Sequence, residues 1–347
     1  IPHSIRRSMG LSSVVTDPLR SGRTVTECLP GGLQSGGAPR RGLNPSDVLQ
    51  AEAAFARAVS GLPGALRQAG MKLLARLVSP NWQMEWGLPR WLAESRGLPE
   101  PTCATLVTAN VLGLGYIRLT DDCSDGQAGP LGPEATMRLA HALYREAITF
   151  YEKLIGPHAW FWAQLDRYLV EWRSAGTQIL SVDVLHATHA EMQSLKLLGA
   201  PLQICIAAVC ALASEENQLE RLASPVGSCL VASVLLDHMS DWRDDLAGGR
   251  PNLFVRALLG EQPPRTEIDE SLRRMAEAML QTERVQTYLN LATGELQDAI
   301  SASRRERLDD LTEYLCLLEE EVRQAADHLV GGIRSLLRQG AELVFSA

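Results

Sequence analysis

The stretch Asp237-His-Met-Ser-Asp241-Trp-Arg-Asp244-Asp245-Leu-Ala-Gly-Gly-Arg250-Pro-Asn252 decides how the rest of the chain is read. It follows an apolar run from Val226 to Leu236 with the character of a buried helix, so the first acids continue that helix. At 3.6 residues per turn, Asp237, Asp241 and Asp245 lie about 40° apart and share one face. Like charges one turn apart destabilise a helix, so three stacked carboxylates call for a cation. Oxygen-only donors over two turns suit Mg²⁺, which takes carboxylates together with water and substrate phosphates. On this stretch alone, an acidic face turned to solvent explains the pattern equally well.

A second motif shifts the balance. Asp121-Asp122-Cys123-Ser124-Asp125 ends another apolar run, Ala104 to Leu119. The carboxyl end of a helix carries partial negative charge, so aspartates there are misplaced unless a metal compensates. Two acidic motifs, each closing an apolar helix, favour the metal.

Composition sets the bounds. The 347 residues, 46% of them hydrophobic, are enough for one large domain or two ordinary ones. No uninterrupted apolar stretch reaches membrane-spanning length, so no membrane span is expected. A net charge of −8 argues against a nucleic-acid partner, because phosphate backbones require a basic footprint. Seven cysteines without a CxxC form neither a disulfide framework nor a zinc set, and they fit a reducing, cytoplasmic setting. Only Lys72, Lys153 and Lys196 are lysines among 33 basic residues, which singles out Lys196 for its surroundings.

Residues 1–45, rich in Gly, Ser, Pro and Arg, read as a disordered or loosely packed arm that loosely resembles a transit peptide in composition. From Ser46 the chain reads as helix after helix. Ser46-Asp47 offers a cap for a helix from Val48, and Asn81 to Trp91 reads as a loop or short helices. Helical patterns continue over 102–121, 133–155, 159–174, 184–198, 202–214, 217–245, 253–259, 266–282, 284–300 and 303–338. The charged run from Ser303 to Asp310 reads as the outer face of that last helix. No strand alternation or hairpin signal occurs, so the expectation is one all-α domain over 46–347 with about ten helices.

Between the acidic motifs lie Trp160, Phe161, Trp162, Tyr168 and Trp172, which are core packing or the aromatic wall of a cavity. Tyr116, five residues before Asp121, could project into that cavity, and Trp242 sits inside the second motif. Lys196 stands alone among apolar residues and needs an anionic partner if buried. Arg250 occupies the loop after the second motif. His186 and His189 have metal-pair spacing but lack the further ligands of a known set.

Taken together, these features resemble the class I terpenoid synthase superfamily, which includes prenyl diphosphate synthases, squalene and phytoene synthases, and terpene cyclases. Asp121-Asp-Cys-Ser-Asp125 matches its first DDxxD motif, and Asp237, Asp241 and Asp245 match the spacing of the second. Lys196 and Arg250 resemble the basic residues that flank the second motif in prenyl synthases. The resemblance implies a helical bundle around a central apolar cavity, a linear prenyl diphosphate as substrate, and a homodimer. It implies that Asp121, Asp122, Asp125, Asp237, Asp241 and Asp245 hold three Mg²⁺ ions. Lys196, Arg250 and Gln193 would bind the diphosphate, while Tyr116, Phe161 and Trp242 would line the cavity. Asp121, Asp125, Asp237, Lys196 and Arg250 form the implied catalytic set, with released diphosphate as the final proton acceptor.

The departures are informative. The GGKxxRP segment of chain-elongating synthases is missing, and Gly126-Gln-Ala-Gly-Pro-Leu stands where they carry an arginine pair. Asp-Trp-Arg-Asp-Asp-Leu-x-x-Gly-Arg resembles the squalene and phytoene synthase branch more than plant or fungal cyclases. The expectation is therefore a terpene cyclase of noncanonical bacterial type. Head-to-head coupling, chain elongation and a non-catalytic helical scaffold remain as alternatives.

Overall fold

The computed structural model describes residues 43–78, 82–124, 126, 128–178, 189–248, 252–260 and 268–345, and every regular element among them is helical. The first helices are α1 (Pro45–Val59), α2 (Gly64–Leu77), α3 (Gln83–Ser95), α4 (Glu100–Ser124) and α5 (Gly132–Ile155). Next come α6 (Ala159–Gln178), α7 (His189–Ser194), a 3₁₀ segment over Leu195–Gln203, and α8 (Ile204–Ala213). The chain continues with α9 (Leu219–Ala247), α10 (Leu253–Leu259), α11 (Ile268–Met279), α12 (Thr282–Arg305) and α13 (Asp309–Phe345).

Two of these set the plan. Helices α4 and α9 are buried on nearly every side along their apolar runs, and a helix apolar all round must be wrapped by others. Helices α1, α2, α3 and α5 surround α4, while α10, α11 and α12 surround α9. The 3₁₀ segment and α8 touch both central helices and join the two halves. Helix α13 packs on α12 and reaches α3, where the Tyr314 and Trp91 rings lie 5.5 Å apart. Three segments, Glu100–Ser124, Met192–Ala213 and Glu216–Ala247, are long and apolar enough to cross a membrane, contrary to the expectation from sequence. Their apolar windows are 83%, 72% and 78% buried inside the fold, so the core accounts for their composition.

Several helix boundaries differ from expectation for identifiable reasons. Asn44, not Ser46 or Asp47, caps α1: its Oδ1 accepts from the Ser46 N–H at 3.0 Å, with Pro45 beginning the first turn. Asp47 is instead buried against Arg90, which donates to it twice, at 2.6 and 2.8 Å. Of the loop or short helices expected over 81–91, the helical alternative holds: Gln83–Ser95 is one helix, α3, which runs through Pro89. Proline cannot supply the N–H that would bond the carbonyl four residues back, at Glu85. Asn110 Nδ2 on α4 donates to that carbonyl at 2.7 Å and closes the gap. The charged run at 303–310 is a helix junction, with Arg304-Arg305 ending α12 and Asp309-Asp310 starting α13. Basic ends and acidic starts suit the helix dipole, and the buried Leu308 pins the turn between them. The bulk of the expected arm, residues 1–42, lies outside the described residues, as does His186.

Candidate active site

Asp121 and Asp122 are half-buried at the carboxyl end of α4. Asp122 Oδ1 accepts from Nη2 of Arg118, one turn earlier on the same helix and almost wholly buried. A cation within the chain therefore offsets one of the acids for which only a metal was expected. The i,i+4 spacing of Arg118 and Asp122 was a visible signal for it. Asp125 lies outside the described residues.

Below these acids, the same helix opens on a cavity. Asn110, Gly113, Leu114, Tyr116 and Ile117 repeat at helical spacing and form one wall. Tyr144, Ala147, Ile148 and Tyr151 of α5 face them, with Leu165 and Leu169 of α6 and Leu202 of the 3₁₀ segment closing the rest. The empty space, open solvent at the mouth included, is about 570 Å³. A Cβ placed on Gly113 would meet nothing within 4 Å, so this glycine leaves the wall open. Tyr116 is fixed by neighbours: its ring lies 4.8 Å from Tyr144 and 6.4 Å from Trp172, and its hydroxyl accepts from Arg173 at 2.8 Å. Phe161 packs behind the wall, 5.2 Å from Tyr151, and Trp242 is buried on α9; neither lines this cavity.

Among the described residues, one acid lines the cavity. Glu85, in the first turn of α3, is 2% exposed, and its Oε2 has no hydrogen-bond partner among the described residues. Burial pushes its carboxyl up from 4.5 to about 7, with its own backbone N–H pulling weakly the other way. The favourable helix amino end does not outweigh the loss of water. Glu85 lies outside the site expected from sequence, although it breaks the apolar stripe that continues through Leu88 and Leu92.

The second acidic series stands on α9, which continues unbroken to Ala247 and so places Asp237, Asp241 and Asp245 on one face. Asp237 and Asp241 are buried and Asp245 is half-buried. Tyr288 of α12 is a neighbour of Asp237: burial first, and the Asp237 charge second, hold its phenol well above the usual range. His238 between the acids is pushed down to about 4 by burial and stays neutral. Asn252 ties the end of this region together. Its Nδ2 donates to the His238 carbonyl at 2.7 Å and to Asp245 Oδ2 at 2.8 Å, while its Oδ1 caps α10 through the Val255 N–H. The position of Asn252, between Pro251 and an apolar run, is the sequence signal for that cap.

Of the expected diphosphate ligands, Gln193 and Lys196 lie among the described residues. Arg250 lies outside the described residues. Gln193 Nε2 sits 3.2 and 3.3 Å from the two oxygens of Glu295 on α12. The stem of the half-buried Lys196 packs over Gly227, ten residues before Asp237, which is about 15 Å along α9. Among the described residues, no three His, Cys, Asp or Glu side chains form a group able to hold a metal.

No protein-family model matches this chain, and no curated protein does. Solved structures do. A geranylgeranyl pyrophosphate synthetase from the archaeon Geoglobus acetivorans superposes with a TM-score of 0.60 at 14% identity, covering 79% of this chain and 98% of that one. The chain has the all-α fold of a prenyl diphosphate synthase. At that identity the likeness extends to the fold, and the chemistry must be argued from the residues. The donor set on α9 is all oxygen, with two buried carboxylates one turn apart, and in kind it suits a hard divalent cation.

Proposed function

We propose that this protein is a class I terpene synthase that ionises a linear prenyl diphosphate and cyclises the resulting carbocation. The observation that carries this reading is the apolar cavity walled by Tyr116, Tyr144 and Tyr151, whose lining on α4 reaches Ile117, one turn before Asp121. Asp121, Asp125, Asp237, Asp241 and Asp245 would hold Mg²⁺, with Asp122 in support. When bound, the metal neutralises the departing diphosphate. Lys196, Arg250 and Gln193 remain the proposed basic and amide contacts to that group. The chain's own part is to orient an apolar tail along α4, exclude water, and face the cation with tyrosine rings.

The name of the matching synthetase supports a second reading, chain elongation with isopentenyl diphosphate. The missing arginine pair after Asp125 favours cyclisation over it. Incubation with C10, C15, C20 and C25 diphosphates, with Mg²⁺ or EDTA, separates the two. A metal-dependent cyclic product from one substrate alone supports the cyclase. Longer diphosphates formed only with isopentenyl diphosphate support elongation, and no diphosphate release removes both. Asp121→Ala and Asp237→Ala should each abolish release while the circular dichroism spectrum stays helical; undiminished release would remove the proposed acidic roles.

A further inference from the structure

We propose that Glu85 is the proton acceptor at the far end of the cavity, taking the terminating proton from the hydrocarbon cation in place of the released diphosphate. The proposal rests on the prenyl diphosphate reading above. In this step a C–H bond next to the cationic carbon breaks and its electron pair becomes the new C=C bond. The proton passes to Glu85 Oε2 and returns to water once the product has left.

Position comes first. Asn110 Nδ2 bonds the Glu85 carbonyl, so Glu85 sits level with Asn110 on α4. Asp121 lies eleven residues further along that helix, about 16 Å away. That length matches roughly a dozen zig-zag carbon–carbon bonds of about 1.5 Å each. Diphosphate held near Asp121 is thus remote from a cation at the distal end of the chain, whereas Glu85 lies beside it.

The surroundings come second. Among the described residues, Glu85 is the one acid on a wall made almost wholly of aliphatic and tyrosine side chains. Its Oε2 is buried without a hydrogen-bond partner among the described residues, and an ionisable neighbour on α9, Cys229, is itself a buried thiol shifted upward in part by the Glu85 charge. Two other acids have a basic partner: the buried Asp47 has Arg90 and the half-buried Asp122 has Arg118. A carboxyl near 7 exchanges a proton readily in either direction at neutral pH.

The test uses a stable cation of the right shape, N,N-dimethyldecylammonium, with decanol as its neutral counterpart. Isothermal titration is run at about pH 8, where the amine is protonated and Glu85 ionised. The wild type should bind the ammonium at least about tenfold more tightly than Glu85→Gln, with decanol bound alike by both and Glu85→Asp recovering part of the difference. Equal ammonium affinity in wild type and Glu85→Gln overturns the proposal. A parallel loss of decanol affinity overturns it too, because Glu85 would then only shape the cavity. In turnover, the proportions of olefin isomers per diphosphate released should change in Glu85→Gln, and unchanged proportions count against the proposal. A wild type that releases no diphosphate from any substrate removes the enzymatic reading by itself, since ammonium binding is read without turnover.

Discussion

Replacing Glu85 with glutamine should stabilise the protein above neutrality and change it little in mild acid. Burial raises the Glu85 carboxyl from 4.5 to about 7 in the folded chain. The folded state therefore keeps a proton that the unfolded state gives up. Stability linked to this group is complete below about 4.5 and is lost as pH rises through about 7. Raising a carboxyl by one pH unit on folding corresponds to about 1.4 kcal/mol, so the full cost at about pH 8 is about 3 kcal/mol. Glutamine has nearly the same shape and cannot ionise, so its advantage should grow from near zero at about pH 4.5 to about 3 kcal/mol at about pH 8.

Urea unfolding at several pH values reads this directly, provided the slope with denaturant is unchanged. His238 also contributes pH dependence, with the opposite sign. Burial lowers it to about 4, so its contribution is present above 6.5 and is lost as pH falls through about 4. It is common to both proteins and cancels in the difference. Any fixed cost of burying the glutamine amide moves the whole curve without changing its slope. A difference between variant and wild type that is flat from about pH 5 to about pH 8 would refute the assignment of Glu85 as a desolvated acid.

Three other substitutions probe the framework. Asn252→Ala removes the cap on α10 and both donations to α9, and should lower stability by about 2 kcal/mol in the same urea assay. Arg90→Met leaves the buried Asp47 without its two-pronged partner and should cost about 3–5 kcal/mol, with Asp47→Asn in the same chain restoring part of the midpoint. Gly113→Phe should fill open space in the cavity without loss of helix stability, since glycine is the poorer helix former. Mass spectrometry of products should then show a shorter longest substrate, and an unchanged substrate range would place Gly113 away from the chain.

The helical plan was legible because α4 and α9 carry apolar residues on all sides, a pattern only a wrapped helix satisfies. The aspartate face of α9 followed from spacing alone, since residues four apart share a face wherever the helix stays unbroken. Other features depended on partners distant in sequence. The Pro89 helix needed Asn110 of α4 to satisfy the Glu85 carbonyl, and nothing near Pro89 announces that donor. Phe161 has the sequence character of a cavity residue, but aromatic content does not reveal whether a ring faces a void or stands behind one. The junction at 305–308 hid inside a charged run because the run is also what a solvated helix face looks like. The signs were in its order, basic before acidic, which suits two helix ends better than one surface.

Several acids are met by a side chain of the chain itself. A buried carboxylate that only supports a fold is costly without a partner, and three acids here have one. Arg90 grips Asp47 across α1 and α3, Arg118 grips Asp122 within α4, and Gln193 at least donates to Glu295. Glu85 is treated differently. Its first-turn position on α3 requires no acid there, and Glu85 contributes only its backbone carbonyl to the Asn110 contact, a group that glutamine or methionine would offer equally. The carboxyl itself adds about 3 kcal/mol of instability above neutrality and returns no structural bond to Oε2. A side chain that costs stability, faces the cavity and changes charge near neutral pH is explained by what enters that cavity, and an apolar cation is the ligand such a group would meet to advantage.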